Sequence, residues 1–351
     1  MIKVGILGAG WAATEHADAF ERMDDVTVTA VWNRTRERAE QLASDRKSKD
    51  VKVFNTWEKL IDEADVDIIS ICTAETLRRQ PFEAALEQGR HVLVEKPFCT
   101  SLEDARSMAV AAKKAQKVAA ICFSLRYAPG TQTALAAVRA GDFGQLRDIE
   151  MEWRAPTAQV FLERWPYSND ALGSFGMGGC HEFDRARFVT GCELVRVVGR
   201  ILPAVSKGDR FEVKLGEYAL LAEMSNGLLG TFRMTLNSGK RNWRFFVRGD
   251  EAVLEVTHEQ AVRWSIDQED SMLIDAPSEY SIREGMDTLQ HCWEKLIRDF
   301  VRAVRINDIN HKSVPYLPTI DDALRNQEII AAALEAERER RWVSLEEFRT
   351  T

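Results

Sequence analysis

The residues best suited to do chemistry stand at the end of a short apolar run. Residues 91–94 read as a buried strand, and Glu95, Lys96 and Pro97 follow directly. Open α/β sheets bind their ligands at the carboxyl ends of strands, and proline prevents the strand from continuing. In a partly desolvated cleft there, the Lys96 ammonium could stabilise charge on a reacting oxygen and pass a proton. We predict that Lys96 is catalytic, rather than a surface lysine, and that Glu95 orients it or positions a cofactor.

A glycine-rich turn near the N-terminus predicts a nucleotide beside that point. Residues 2–7 read as a strand, the sequence GAGWAA follows at 8–13, and a second strand is expected at 26–32. In such a turn the first glycine permits the bend, the second lets the backbone approach a pyrophosphate, and the small third residue lets the helix lie close to the strand. The alternative is a purely structural turn. The predicted cofactor contacts from this and the neighbouring strand ends are Gly8, Gly10, Trp11, Ala12, Thr73, Ala74, Glu95 and Lys96.

The end of the second strand bears on the choice of nicotinamide cofactor. Enzymes that use NAD usually place an acidic residue there to accept the ribose hydroxyls, whereas this chain has Asn33, Arg34 and Thr35, with Arg38 one turn later. A neutral amide and guanidinium groups suit a 2′-phosphate. We therefore predict that Asn33, Arg34 and Arg38 contact the cofactor, with NADP(H) favoured and NAD(H) possible. In the alternative interpretation, the arginines form a solvated helix edge.

Strand and helix patterns indicate two domains. Strand-like and helix-like segments alternate up to residue 123, which predicts a Rossmann-type, doubly wound parallel sheet in an α/β domain at 1–124. From residue 193, alternating strands separated by short turns predict a large, mostly antiparallel open sheet in a C-terminal α+β domain at 125–351. The C-terminal helices could pack back on the first domain. An open sheet covered on one side would leave an apolar face, so we expect a homodimer or homotetramer.

Composition and charge favour a small-molecule ligand. The chain is 45% hydrophobic and 29% charged, with a net charge of -8, and it contains no basic block that could follow a phosphate backbone. We therefore expect neither nucleic acid nor a membrane as partner. The six cysteines form no C-x-x-C pair, and the first residues lack the features of a secretion signal. These observations predict a cytoplasmic protein.

Five motifs together resemble one family. They are residues 8–13 (GAGWAA), 67–73 (DIISICT), 84–97 (AALEQGRHVLVEKP), 126–129 (RYAP) and 179–184 (GCHEFD). Through them the sequence resembles, essentially from end to end, the glucose–fructose oxidoreductase, inositol dehydrogenase and rhizopine-catabolism (Gfo/Idh/MocA) family of NAD(P)-dependent oxidoreductases. The resemblance implies a Rossmann domain followed by a domain whose open sheet often forms the oligomer interface. It also implies that Lys96 contacts the reacting oxygen and that the bond before Pro97 is often cis.

The second half of the chain supplies candidate substrate contacts. His181 follows several glycines on the expected first turns of a helix, where it could act as general acid or base, and Asp184 three residues later could orient the imidazole. A structural histidine is the alternative. Arg126 and Tyr127 could contact substrate, or could form a salt bridge and a packed ring. Trp165 could stack on a sugar, although a core or interface role is equally consistent with the sequence.

Two residues depart from the pattern that the resemblance implies. Met177 stands four residues before His181, where the family usually has aspartate or asparagine, and this places simple oxidation of sugar alcohols in doubt. Arg78 stands where the family often has histidine near the cofactor.

Three functions are therefore compared. The first is hydride transfer between a nicotinamide and a carbinol or carbonyl carbon of a sugar, cyclitol or related small polar molecule, with Lys96 polarising the oxygen and His181 assisting proton transfer. The second is a lyase or glycoside hydrolase that uses a tightly bound NAD(H) for transient oxidation. The third is a nucleotide-sensing protein without turnover, which the retention of Lys96 and His181 disfavours.

Overall fold

The computed structural model describes residues 1–48, 50–155, 172–205, 212–236, 238–239, 242–265 and 271–349. Internal contacts divide the chain into two compact units. The first contains Met1–Ser124 and Leu289–Arg325, and the second contains Leu125–Thr288 and Asn326–Thr351. The first division falls where the sequence places the domain boundary. The predicted range 125–351, however, is interrupted, because a later segment of the chain packs with the first unit.

The first unit is built on a parallel sheet. Within the described residues, six strands lie in the order β3-β2-β1-β4-β5-β6, and the predicted doubly wound Rossmann sheet is confirmed. The strand order reverses between β1 and β4, which is where such sheets bind nucleotides. The elements are β1 Ile2–Leu7, α1 Trp11–Glu21, β2 Val26–Trp32, α2 Arg36–Ser44, β3 Lys52–Val53, α3 Trp57–Glu63, β4 Ile68–Ile71, α4 Arg79–Glu87, β5 His91–Val94, α5 Leu102–Ala115 and β6 Ala119–Ile121.

Two neighbouring strands of this sheet, β4 and β5, have no exposed face. Every residue of β4 and of β5 is buried, as expected for parallel strands with helices on both sides. Polar residues that could bind a ligand therefore come only where these strands end. Thr73 and Lys96 stand at those ends, which places two of the predicted site segments at one edge of the sheet.

A segment from the C-terminal part of the chain completes the first unit. It consists of most of α8, Thr288–Arg305, and the residues that follow. Arg305 forms a bidentate pair with Asp25, with a shortest distance of 2.6 Å between Nη2 and Oδ1. Beyond the helix, Thr319 pairs with Ala120 in an antiparallel bridge at the edge strand β6. This segment is therefore part of the first unit, although it lies far from the rest of that unit in sequence.

The second unit contains the open sheet. Within its described residues, nine strands lie in the order β14-β13-β12-β11-β7-β10-β9-β8-β15, antiparallel except for the pair β7 and β10, which confirms the predicted mostly antiparallel sheet. The elements are α6 Pro129–Ala140, β7 Leu146–Arg154, α7 Gly173–Thr190, β8 Leu194–Val205, β9 Glu212–Met224, β10 Leu229–Thr235, β11 Asn242–Gly249, β12 Ala252–Val256, β13 Ala261–Ser265, β14 Ser271–Ile274, α9 Ile320–Glu339 and β15 Val343–Ser344. The boundary between the two units falls within α9, before Asn326.

The two faces of this sheet differ in polarity. One face is buried and carries residues such as Met151, Phe232 and Phe245. On the other face, Arg248 pairs with Asp148 at 2.5 Å and with Glu150 at 2.7 Å. The same face carries exposed apolar side chains, Leu221 and Leu229 among them. Because strand residues alternate between faces, the covered side takes most of the apolar residues, and the open face is mixed in polarity.

Among the described residues, no helix is both long and apolar enough to cross a membrane.

Candidate active site

The two glycines of the N-terminal turn have different structural roles. Gly8 has φ +111°, and a Cβ atom there would lie 2.7 Å from the carbonyl oxygen of Cys72, so the bend requires glycine. Gly10 has φ −93° and no neighbouring atom within 4 Å of an added Cβ. Gly10 is the N-cap residue of α1, and this helix has no side-chain cap and no acidic residue in its first turn. The amide groups of Trp11 and Ala12 are therefore available for a phosphate.

Asn33 connects this turn to the end of β2. Its Oδ1 accepts a hydrogen bond from the Ala9 amide at 3.1 Å, and its Nδ2 donates to the Thr35 carbonyl at 2.9 Å. Arg34 and Arg38 are exposed, and within the described part of the chain their guanidinium groups form no hydrogen bond or ion pair. The predicted cofactor contacts Asn33, Arg34 and Arg38 thus lie around one loop, with two cations available to a ligand.

Glu95 is the centre of a buried hydrogen-bonded network in the first unit. Its Oε1 accepts from Trp293 Nε1 at 3.2 Å and lies 3.1 Å from His16 Nε2. Its Oε2 accepts from the Lys96 amide at 2.9 Å. His16 Nδ1 in turn lies 2.9 Å from the hydroxyl of Ser70. The carboxylate therefore holds the backbone amide of Lys96, and its role as an orienting residue stays a prediction.

Glu95 and His16 form a charged pair inside the unit. Burial by itself would raise the pKa of Glu95, but the hydrogen bond from His16 and the charges of His16, Lys96 and Arg78 lower it to about 2. Burial likewise opposes a charge on His16, yet its polar neighbours, Cys72 and Cys122 among them, raise the pKa of the imidazole well above 6.5. The two ring nitrogens of His16 lie within hydrogen-bond distance of Glu95 and Ser70, one nitrogen to each.

The same cluster has ligand atoms at a spacing that a metal ion could use. Single ligand atoms of His16, Glu95 and Cys122 lie within 4.8 Å of one another. The hydrogen bonds of Glu95 Oε1 with Trp293 and His16 account for this proximity. We therefore assign the cluster to the hydrogen-bonded network around Lys96.

Arg78 lies under the loops that follow β4 and β5. Its Nε and Nη2 donate to the Thr73 carbonyl at 2.9 and 2.7 Å, and its Nη1 donates to the carbonyls of Glu95 and Pro97. Burial lowers the pKa of this guanidinium, but arginine stays charged in proteins. The Lys96–Pro97 peptide bond is cis, as the family resemblance implied.

Thr73 and Lys96 still offer polar groups to a ligand. The Thr73 hydroxyl is buried, and no described residue hydrogen-bonds to it. The side chain of Lys96 is partly exposed, and its amine forms no hydrogen bond or ion pair with the described residues. Ala74, beside Thr73, is exposed. An orphaned hydroxyl, a free amine and an open glycine turn at one sheet edge fit the polar groups of a nicotinamide dinucleotide.

In the second unit, His181 lies deeper in its helix than expected. α7 begins at Gly173 and includes the glycines, so His181 is in its third turn and is 8% exposed. The sequence predicts His181 on the first turns, because glycine weakens helices and the helix is then expected to begin after the glycines. Packing explains the difference: a Cβ at Gly178 would lie 2.7 Å from the ring of Trp153, so the helix can approach the sheet only with glycine at this position.

The predicted substrate contacts of this unit form internal pairs. Arg126 donates two hydrogen bonds to the Asp184 carboxylate, at 2.6 and 2.9 Å, and both side chains are buried. Both carboxylate oxygens of Asp184 are engaged in this bidentate, charge-assisted pair, and the orientation of the His181 imidazole by Asp184 stays a prediction. Tyr127 is 1% exposed, with its ring centroid 6.5 Å from that of Tyr280. Trp165 lies outside the described residues.

Glu182, beside His181, is a buried acid that sequence reasoning missed. The Tyr218 hydroxyl donates to its Oε2 at 2.5 Å, and burial raises the pKa of Glu182 to about 8. The carboxyl group is therefore largely protonated at neutral pH. Nothing in the local sequence distinguishes this residue from a solvated glutamate on a helix.

Comparisons with known proteins identify the family. A model described as "Oxidoreductase family, NAD-binding Rossmann fold" matches residues 2–123, and one described as "GFO/IDH/MocA C-terminal domain" matches residues 131–255. The chain belongs to the GFO/IDH/MocA oxidoreductase family. Its first unit, with the glycine turn and the 3-2-1-4-5-6 strand order, is the NAD-binding domain of that family.

The similarity to individual proteins is low in sequence identity. Myo-inositol 2-dehydrogenase from Thermotoga maritima is 26% identical over 56% of this chain and 57% of its own length. D-glucoside 3-dehydrogenase from Escherichia coli is 31% identical over 56% of each chain. The chain thus matches little more than half the length of these curated relatives. A solved structure, levoglucosan dehydrogenase in complex with NADH and levoglucosan, shares the fold with a TM-score of 0.83 and 19% identity over 98% of this chain and 99% of its own.

Two residues of the Glu95 network were missed in the sequence. His16 lies on the inward stripe of α1 together with Ala13, Ala17 and Phe20. A histidine among such positions is a signal that could have been used, because a buried polar side chain needs a partner. Trp293 gives no comparable signal, since it lies 198 residues from Glu95 in sequence.

Proposed function

We propose that this family member is an NAD(P)-dependent oxidoreductase that moves hydride between a nicotinamide and a carbinol or carbonyl carbon of a sugar, cyclitol or related small polar molecule. The observation that carries the proposal is the state of Lys96. Its backbone is held by the Glu95 carboxylate, while its amine remains free of described partners at the sheet edge that carries the glycine turn. A fixed backbone with an unpaired amine is what proton transfer to a bound substrate requires.

The chain's own residues would manage the oxygen and its proton. A bound nicotinamide supplies the hydride acceptor or donor. In the oxidative direction Lys96 accepts the hydroxyl proton, directly or through water, as the carbon loses hydride and becomes a carbonyl. In the reductive direction the Lys96 ammonium polarises the carbonyl and returns the proton to oxygen. His181 is proposed as a second proton-transfer group, on the basis of its motif alone.

The names of relatives suggest the substrates to test first. Myo-inositol 2-dehydrogenase and D-glucoside 3-dehydrogenase are named for polyhydroxylated rings. Met177 replaces a polar side chain with an apolar one at a position that the resemblance associates with substrate. We therefore propose a ring substrate that offers an apolar edge or a glycosidic substituent near Met177, in preference to a simple sugar alcohol.

We also propose that NADP(H) is preferred over NAD(H). The free guanidinium of Arg34 and the uncapped start of α2, where the Thr35 hydroxyl accepts no helix amide, support binding of a 2′-phosphate. Arg34→Ala should weaken NADPH binding about tenfold and leave NADH binding nearly unchanged. Arg36→Ala is the matched control, because Arg36 pairs with Glu40 and Asn55. Equal effects of Arg34→Ala on both nucleotides would contradict the preference.

Hydride transfer itself is tested on purified full-length protein. Nicotinamide fluorescence is followed during titration with NADPH and NADH, and glycosides, inositols, sugars and their keto forms are then added. We expect turnover with at least one of them, and a loss of about a thousandfold in kcat for Lys96→Met with nucleotide affinity largely kept. Lys59→Met, on the exposed side of α3, should retain wild-type turnover.

The other outcomes assign the protein to the competing functions. A nucleotide that arrives bound and does not exchange, together with glycoside cleavage, would support the redox-assisted lyase or hydrolase. Reversible binding without chemistry on any compound would overturn the enzyme proposal in favour of a sensor.

For His181→Asn we expect about a hundredfold lower kcat and an unchanged nucleotide dissociation constant.

A further inference from the structure

We propose that Arg78 is a positioning residue, which sets the location of the Lys96 amine by holding the backbone on both sides of that lysine. The inference rests on the proposed function of Lys96. Arg78 does not reach the end of the lysine side chain; it acts through the peptide groups that flank it.

The contacts of Arg78 are concentrated on two loops. A single nitrogen, Nη1, donates to the carbonyls of Glu95 and Pro97, which stand immediately before and after Lys96. The opposite edge of the guanidinium donates twice to Thr73, at 2.7 and 2.9 Å. Thr73 follows β4 and Lys96 follows β5, so one side chain joins the ends of two neighbouring strands.

Arginine is suited to this arrangement by its shape. The guanidinium is planar and presents five donors in a fixed fork, so it can serve three carbonyls in different directions at once. The ammonium of lysine is a point donor on a flexible chain, and imidazole has two donors at most. Neither can reproduce the geometry, although lysine would retain the charge.

Stability alone is a poor reason for this residue. Arg78 is 5% exposed, and its hydrogen-bond partners in the described structure are uncharged carbonyl oxygens. Burial opposes the charge of Arg78, and this cost is offset by the hydrogen bonds to neutral carbonyls together with the attraction of the nearby Glu95 carboxylate. The arrangement fixes the backbone at three points around Lys96. Glu95 holds the Lys96 amide, and Arg78 holds the two flanking carbonyls.

The test compares Arg78→Lys with Arg79→Lys in the full-length protein. Arg79 is the adjacent residue, but it pairs with Glu83 and Asp104 at the surface of the unit. For Arg78→Lys we expect kcat to fall about a hundredfold, with KM and the nucleotide dissociation constant changed by less than about threefold. Arg79→Lys should match wild type. In Arg78→Ala, guanidinium ion at a sub-denaturing concentration should restore part of kcat.

A second readout follows Lys96 without turnover. After reductive methylation with ¹³C-formaldehyde, the NMR resonance that is missing in Lys96→Arg belongs to the dimethylated amine of Lys96. This resonance should move or broaden in Arg78→Lys and stay in place in Arg79→Lys. The proposal is overturned if Arg78→Lys only lowers the melting temperature, while kcat of the folded protein and the Lys96 resonance are unchanged.

The two readouts separate this inference from the proposed function. If wild type transfers no hydride but its Lys96 resonance depends on Arg78, the positioning role stands and the proposed function fails. If wild type transfers hydride and neither kcat nor the resonance responds to Arg78→Lys, the proposed function stands and the positioning role fails.

Discussion

At the scale of single residues, the site depends on a buried charged pair. Glu95 and His16 are both removed from solvent, and His16, whose Nε2 lies 3.1 Å from Glu95 Oε1, lowers the pKa of the carboxyl group. Such pairs add little net stability when they replace apolar packing, but removing one partner is costly. The pair therefore specifies geometry around Lys96 more than it stabilises the fold.

Glu95→Gln should reduce stability in a pH-dependent way. The pKa of Glu95 in the folded protein, about 2, lies below its usual value, so its contribution is fully present above about pH 4.5 and is lost as the pH falls toward 2. We expect Glu95→Gln to lower the free energy of unfolding by about 3 kcal/mol at pH 6. This difference from wild type should become steadily smaller below pH 4.5. Urea unfolding of wild type and variant across this range measures the difference. A constant gap down to pH 2.5 would contradict the charged state of Glu95.

His16 contributes in the opposite pH direction. Its pKa is raised on folding, so its contribution is present below about pH 6.5 and is lost as the pH rises through the raised value. Both groups of the pair are consequently charged at intermediate pH, above the pKa of Glu95 and below the pKa of His16.

At the scale of elements, the two glycines of the β1–α1 turn differ in whether the fold itself requires them. Gly8 is required by the backbone, since its φ is positive and a side chain would collide with Cys72. Gly10 has ordinary backbone angles and open space, so the fold tolerates a methyl group there. We therefore infer that the second glycine, Gly10, serves a ligand that must approach the start of α1 closely.

This difference gives a matched pair of variants. Gly8→Ala should destabilise the protein by about 2–4 kcal/mol, because strain and a steric clash combine. Gly10→Ala should keep the wild-type melting temperature within about 1 °C and weaken nucleotide binding at least about tenfold. Thermal unfolding and nicotinamide fluorescence measure the two effects. Unchanged nucleotide affinity in Gly10→Ala would exclude the pyrophosphate from this position.

At the scale of the whole molecule, two features depend on segments that are distant in the sequence, and the first is the return of a C-terminal helix to the first unit, which the sequence allowed. Residues 289–325 return to the first unit and bring Trp293 to Glu95. The open sheet face carries ion pairs such as Arg244 with Glu152 and with Glu255, both at 3.2 Å. The expected homodimer or homotetramer through this sheet stays a prediction, and its interface would include these ion pairs beside exposed apolar side chains such as Leu221 and Leu229.

An interface that includes ion pairs should respond to salt. We expect an oligomer at low ionic strength that dissociates more readily at about 1 M salt, where charges are screened beyond about 3 Å. Arg233→Ala, on the open face, should weaken association about tenfold, whereas Arg302→Ala on α8 should not. Sedimentation velocity at two salt concentrations is the measurement. A protein that is monomeric at micromolar concentration and low salt would contradict the prediction.

The sequence by itself determined the order of elements and the strand ends at which the candidate site lies. Strand periodicity, the GAGWAA turn and the polar residues after β5 sufficed for the Rossmann unit, its nucleotide edge and the position of Lys96, because these features depend on neighbours within a few residues. Tertiary structure alone decided the partners. His16 with Glu95 and Trp293, Arg78 with three carbonyls, Arg126 with Asp184, and the polarity of the open sheet face all depend on which side chains packing brings together. Local sequence patterns specify the conformation of a segment, but they do not specify which distant segment will face it.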